Sequence, residues 1–439
     1  MPKTNEVFGI RVEPVLSYVA RDIVDGTFKQ AIGSDHHVVV YGSSKQGKTS
    51  LRQTYVPDKN CAIIRCAPNM QPKNVYNSLL RQTGVRIETL TTSSETVGGK
   101  VGTKVGFKAY IPFFGGGSTE LNADVSGEKQ TELTQEFVAF DFGEAQSIGE
   151  LLIQTGFKKF VVLENFHYLP IETQQQLAFD LKTFHEIGIR FIVLGIWREA
   201  NLLTTHNADL QDRVVEIPVE PWEEDDFRRV VASGSELLKV SIDRSIEDEF
   251  IKNSYGNIGM LQEFLRVFCE VSDVHETQKQ ERVLKDPAKA EETLNTKLEA
   301  QRAHTLKALQ SIAARSRIRR EEDDPLLLPY YLVIVILRVP IDDLRQGIER
   351  NRLLELLREA HHRKDKETIR GSDLTNLLLR LPSLQSGIQP PFLYYDSNSR
   401  RLRVVDTRQF FVLANVDRAE LEDEIPIPSE VTAEPDATA

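Results

Sequence analysis

Eight consecutive residues, Gly42-Ser43-Ser44-Lys45-Gln46-Gly47-Lys48-Thr49, carry the most specific chemistry in this chain. Glycines at this spacing let backbone N–H groups turn inward around an anion. A following lysine reaches the outer oxygens of a polyphosphate, and a following hydroxyl suits magnesium. Gly42, Gly47, Lys48 and Thr49 fill those posts, and Ser43, Ser44, Lys45 and Gln46 complete the loop. The apolar run 37–41 precedes the loop, and Ser50-Leu51-Arg52-Gln53 follows it as the start of a helix, whose N-terminal dipole favours the same anion. The expected ligands are ATP and Mg2+, with residues 42–50 around the phosphates and Thr49 on the metal.

A triphosphate site also needs an acid at the end of a second buried strand. The run Phe160-Val161-Val162-Leu163-Glu164-Asn165 supplies one: Glu164 falls at the metal post and Asn165 at the post of the residue that handles the attacking water. An amide orients water but takes no proton from it, so Lys48, Thr49 and Glu164 predict tight binding while Asn165 predicts slow hydrolysis. The alternative makes Glu164 itself the acid that activates water. His167 reads as a structural histidine.

Strands at 37–41, 62–66, 160–163, 190–194 and 214–219, with an amphipathic helix over 171–187, predict an α/β fold with a parallel sheet covered on both faces. The full expectation is a P-loop NTPase parallel sheet with a helical lid, an inserted β-hairpin and a C-terminal winged helix. Residues 1–219 form the nucleotide domain, 220–272 the lid, 273–325 a helical linker, 326–415 the winged helix, and 416–439 a disordered acidic tail. In the lid, helices are expected over 223–238, 246–253 (capped by Ser245) and 260–271, and in the linker over 288–315.

The insertion, 86–140, is marked by glycine, valine, lysine and threonine. Val101, Val105, Phe107, Ala109 and Ile111 share one parity and Lys100, Lys104 and Lys108 the other. A hairpin in which paired positions sum to 232 sets Lys108 against Asp124, Lys104 against Glu128 and Lys100 against Glu132. Its apolar face is expected to pack on its own domain.

A formal charge of −11 argues against indiscriminate coating of nucleic acid, and no apolar run is long enough to cross a bilayer, so no membrane partner and a cytoplasmic location are expected. Cys61, Cys66 and Cys269 lack zinc-ligand spacing and read as buried thiols. Residues 326–415 reverse the overall charge, with 14 lysines and arginines against 10 acids. Helices over 327–337, 350–361 and 372–381 (capped by Ser372) precede a short hairpin that bears Arg400, Arg401 and Arg403. Those arginines are the expected contacts to duplex DNA, and the competing reading is a winged helix that binds protein.

The string Leu163-Glu164-Asn165-Phe166-His167-Tyr168-Leu169 resembles the strand-Asp-Asp-Tyr-His motif of STAND signalling ATPases such as the maltose-type transcription activators, within the wider AAA+ and origin-initiator-like assembly. The resemblance covers roughly residues 15–270. It implies a nucleotide-controlled switch that forms a homo-oligomer when ATP-bound, with an adenine pocket to which Tyr18, Val19 and Arg21 contribute. It also implies phosphate-sensing roles for Arg198 and for Arg213, the latter toward a neighbouring subunit, with a surface salt bridge as Arg213's alternative. The lid string Gly256-Asn257-Ile258-Gly259 lacks the sensing arginine that AAA+ proteins often carry there.

Overall fold

A computed structural model of the chain describes residues 1–91, 105–111, 136–197, 201–314, 326–363, 365, 368–385 and 387–428. The nucleotide domain contains β1 (His37–Tyr41), β2 (Cys61–Arg65), β3 (Arg86–Thr91), β4 (Val105–Ile111), β5 (Glu136–Phe140), β6 (Phe160–Glu164), β7 (Phe191–Gly195) and β8 (Val214–Pro218). Five of these make a parallel sheet in the order β2-β6-β7-β1-β8. β1 lies near its centre and all five of its residues are buried, as an unbroken apolar run demands when both faces are covered. The helix Asp22–Ile32 packs on one face and the helices Pro72–Gln82, Ala145–Gln154 and Ile171–Glu186 on the other, giving two separate apolar clusters.

Register decides where the loops meet. Tyr41 pairs with Gly195 and Pro218, and Arg65 with Glu164, so the strands end together at their carboxyl edge. Loop 42–49, residues 164–167 and residues 195–197 therefore gather at one rim.

The insertion departs from expectation. β4 lies between β3 and β5 in a three-stranded antiparallel sheet. Lys108 stands opposite Glu88 and Ala139. Both edges of β4 are thus taken by β3 and β5; Asp124 and the other two expected pairs lie outside the described residues. Parity was read correctly: Ala109 is buried, and Phe107 packs on Phe140 and Phe142 with ring centroids 6.0 and 4.8 Å away. That face joins the core of the nucleotide domain.

Beyond the cis peptide Glu220-Pro221 the chain becomes helical: Glu224–Leu238, Arg244–Asn253 and Ile258–Val271. Asp243, rather than Ser245, caps the second, its carboxylate accepting the Ser245 N–H at 3.0 Å. Two short strands, β9 (Val240–Ile242) and β10 (Arg282–Leu284), pair in parallel beside these helices. The linker helix runs Pro287–Ala314 and contributes at opposite ends to the lid core (Ala290) and to the C-terminal core (Leu309, Ile312).

The C-terminal unit has helices Leu328–Arg338, Arg350–Ala360 and Gly371–Leu384 and a sheet of β11 (Ile348–Glu349), β12 (Leu393–Asp396) and β13 (Arg401–Val404) in the order β11-β13-β12. This is a winged-helix order with the wing between β12 and β13. Asp396 accepts the N–H groups of Asn398 and Ser399, the turn chemistry expected of that stretch. Ser372 does not cap its helix; Arg370 occupies the N-cap and its N–H is taken by Asp373 at 2.7 Å. After the wing, helix Arg408–Asn415 returns to the lid, where Phe411 meets Phe264 at 5.1 Å. The tail expected to be disordered from 416 instead forms helix Arg418–Asp423, because Leu421 and Ile425 are buried in the C-terminal core. No helix among the described residues is long and apolar enough to cross a membrane.

Candidate nucleotide-binding site

The loop after β1 has the backbone that its glycines predict. Gly42 has φ +147, and a Cβ there would meet Val219 Cγ2 at 2.7 Å; Gly47 has φ +82 and precedes helix Lys48–Tyr55. Lys45 is also left-handed, at φ +61. Lys48 Nζ donates to the carbonyls of Gly42 (2.9 Å) and Ser43 (2.6 Å), which ties the ammonium across the loop it serves. Desolvation lowers this lysine to about 8, with Glu220 and Asp406 opposing the shift. A bound anion would raise it again.

Residues 44–50 line a cavity of about 290 Å³ together with Glu164, Asn165, His167, Tyr18, Arg21 and Trp222. The structure thus brings most of the expected phosphate and adenine residues to one place. Tyr18 donates to Asp25 at 2.6 Å, and that carboxylate also accepts the Tyr55 hydroxyl at 2.8 Å. The Arg21 guanidinium lies 3.8 Å from the centroid of Trp222 and donates to the Val219 carbonyl at 2.8 Å. Arg21 therefore holds the indole in the cavity wall, a flat apolar surface suited to a base.

Two loop side chains bond to distant segments of the chain. Ser43 Oγ donates to the Val405 carbonyl at 3.1 Å. Gln46, fully buried, donates to Glu220 (2.5 Å) and to the Gly256 carbonyl (3.1 Å), and its own oxygen accepts the Ile258 N–H (3.3 Å). Asn257 Nδ2 reaches both the Ser44 carbonyl (3.0 Å) and Thr407 Oγ1 (2.9 Å). The loop is consequently held between the lid and the segment that leaves the wing, a contact invisible in the sequence because its partners are some 360 residues apart.

Glu164 ends β6 at the rim, as expected, but its carboxylate is engaged. Arg52, from the helix behind the loop and 1% exposed, approaches one oxygen at 3.2 Å, and Arg65 the other at 3.6 Å. Arg52 also pairs with Asp58. For magnesium, Thr49 and Glu164 line the same cavity, and two arginines beside the carboxylate suit contact through a metal-bound water better than direct ligation. Asn165 is exposed and left-handed (φ +58, ψ +38), a backbone state that asparagine adopts at low cost. The residue type thus has a conformational cause in addition to any role toward water.

Sequence reasoning undervalued His167. Its Nδ1 accepts the Ile196 N–H at 3.2 Å, its Nε2 is buried with no partner among the described residues, and it lines the cavity. Burial, reinforced by Lys48, lowers the ring to about 4.

Other expected residues lie elsewhere. Arg213 precedes β8 at the amino edge of the sheet, where its carbonyl accepts the His37 N–H, while its side chain binds the Asp209 carbonyl and Glu186. It faces the opposite rim from the loop of its own chain. Arg198 lies outside the described residues. At the wing, Arg400 is exposed with φ +51, whereas Arg401 donates to the Gly347 carbonyl at 2.6 Å and Arg403 packs against Gly347. Cys61, Cys66 and Cys269 are buried free thiols, as expected.

No family model and no curated protein matches the chain. Among solved structures it is similar to a Walker-type ATPase of Pyrococcus abyssi, at 13% identity over 93% of this chain and 99% of that one, with a TM-score of 0.47. It is also similar to the Orc1 protein of Aeropyrum pernix in complex with DNA, at 11% identity over 92% and 94% of the two chains, TM-score 0.41. A third is the RuvB Holliday junction branch migration motor of Thermotoga maritima, at 11% identity over 93% and 96%, TM-score 0.37. The P-loop reading rests on the chain's own loop, sheet register and cavity.

Proposed function

We propose that the chain is an ATP- and magnesium-binding switch of the STAND and AAA+ kind, which hydrolyses slowly and passes its nucleotide state to a winged helix that acts on duplex DNA, with homo-oligomer formation in the ATP state. The observation that carries this reading is the clamp on the phosphate loop: Ser43 on Val405, and Asn257 on both Ser44 and Thr407. A phosphate seated by the loop amides acts on the lid and on the segment leaving the wing at once, because each is hydrogen-bonded to the loop itself. Thr49 and Glu164 are the residues that would hold the metal, and Asn165, lacking a basic oxygen for a proton, supports slow turnover.

A second reading, a sensor or signalling scaffold whose winged helix binds protein, is favoured by two features of that unit. Arg401 and Arg403 are drawn against the Gly347 turn, and Leu379 on the third helix is 74% exposed. Both readings meet one experiment: sedimentation of the full chain with ADP or a slowly hydrolysed ATP analogue, with and without duplex DNA. ATP-dependent assembly that retains DNA, weakened by Arg400→Ala, supports the DNA switch. Assembly that ignores DNA supports the scaffold, and no response to either nucleotide removes both.

A further inference from the structure

The ring of His167 links the ends of two strands at the cavity rim. Its backbone follows β6 by three residues, and its Nδ1 accepts the N–H of Ile196, the first residue beyond β7. That bond fixes the tautomer: with an N–H pointing at Nδ1, the only proton the neutral ring can carry sits on Nε2. A cationic ring would set two N–H groups against each other, beside Lys48. Nε2–H is therefore a donor, buried, and unsatisfied among the described residues. Buried donors left without an acceptor are costly, on the order of 1–3 kcal/mol, and each calls for a cause, a functional contact among them.

What would complete it follows from its neighbours. His167 shares the cavity with Lys48, Thr49, Glu164 and Asn165. The amides of the loop take the inner phosphates and Lys48 reaches outward to the β and γ oxygens, while the rim formed by the ends of β6 and β7 lies on that outer side. A donor on that rim meets the outermost phosphoryl group.

We propose that His167 donates through Nε2 to the terminal phosphate of a bound nucleoside triphosphate, and that by this bond the site distinguishes a triphosphate from a diphosphate. The inference rests on the nucleotide-binding reading above. It supplies the triphosphate contact that the lid, with Asn257 and Gly259 where an arginine is often found, does not offer. Because the ring stays neutral, the contact is a fixed dipole whose strength does not vary across ordinary pH.

The test is calorimetric titration of the full chain with Mg2+ and either ADP or a slowly hydrolysed ATP analogue. His167→Phe keeps a ring of similar size and removes the donor; His167→Gln restores an N–H near the Nε2 position. The phenylalanine variant should lose roughly tenfold to a hundredfold in affinity for the ATP analogue and less than about twofold for ADP, with the glutamine variant recovering most of the loss. Equal weakening of both nucleotides, or no change in either, overturns the inference. Failure of the wild-type chain to bind either nucleotide overturns the underlying reading instead. Should the phenylalanine variant not fold, histidine ¹⁵N spectra of the wild-type chain decide: an Nε2–H signal that shifts with the ATP analogue and not with ADP supports the contact, and one indifferent to both refutes it.

Discussion

Gly259 is the second residue of the lid helix Ile258–Val271 and lies directly against the phosphate loop. A Cβ at this position would stand 2.5 Å from Lys45 Cβ, 2.7 Å from the Lys45 carbonyl oxygen and 3.2 Å from Asn257 Oδ1. Non-bonded carbons sit about 3.5–4.0 Å apart, so Gly259→Ala requires the loop and the helix to separate by about 1 Å. Neither can yield cheaply. Lys45 is held at φ +61, and Asn257 is buried, capping the helix at Met260 while also bonding Ser44 and Thr407. Overpacking of this kind costs about 1–3 kcal/mol. The expected result is a lower denaturant midpoint by that amount and ATP binding weakened about tenfold, since the loop and lid no longer close together. Gly26→Ala is the control: it sits in the exposed middle of a helix with nothing within 4 Å, and should stabilise by about 0.5–1 kcal/mol. If Gly259→Ala matches the wild type in both unfolding and nucleotide affinity, the close approach of lid and loop is refuted.

Three further outcomes follow from the same geometry. Under single-turnover conditions Asn165→Asp should raise hydrolysis about tenfold or more by supplying a proton acceptor; if Glu164 is itself the base, Glu164→Gln abolishes turnover with ATP binding intact and Asn165→Asp changes little. His37 is fully buried and neutral, with Nδ1 accepting the Phe191 N–H at 3.0 Å and Nε2 donating to the Leu181 carbonyl at 2.8 Å, and burial lowers it to about 4. Its contribution is therefore complete above about pH 6.5 and lost as pH falls toward 4, by about 3 kcal/mol in all; chemical denaturation from pH 7 to 4.5 should show this slope, and His37→Gln should flatten it. Thr407→Val removes an acceptor shared by Asn257 and Gln46 and should cost about 1–3 kcal/mol while loosening the C-terminal unit from the loop, which limited proteolysis would report; unchanged cleavage would count against the clamp.

The parts legible in the sequence were those governed by local chemistry or by unbroken apolar runs. β1 is legible to the residue because a strand-forming run ends at Gly42, whose φ of +147 only glycine adopts freely, and the other four core strands are legible to within a residue at each end. The lid helices and the winged helix followed from helical spacing and turn residues. Long-range pairing was not legible. Opposite charges chose a register for the insertion, yet β4 pairs with β3, whose apolar Ile87 and Leu90 fall on opposite parities and so give no strand pattern, and with β5. At the site, the loop and Glu164 were evident from residue type, but the partners that define their chemistry come from distant sequence: Arg52 on Glu164, Val405 on Ser43, and Ile196 on His167. A histidine three residues past a strand acid carries no mark of tautomer in the sequence; only the amide facing its ring supplies one.

The central claim is that the loop and its cavity bind a nucleoside triphosphate, and direct titration tests it. Of the two tryptophans, Trp222 lines the cavity, so its fluorescence should report occupancy alongside the heat of binding. The account predicts saturable binding of one Mg2+-ATP per chain in the wild type. In Lys48→Ala, with its circular dichroism unchanged, affinity should fall by about a hundredfold or more, as expected for loss of charge-assisted bonds to phosphate. A Lys48→Ala protein that binds ATP as tightly as the wild type, or a folded wild type that binds none, would contradict it.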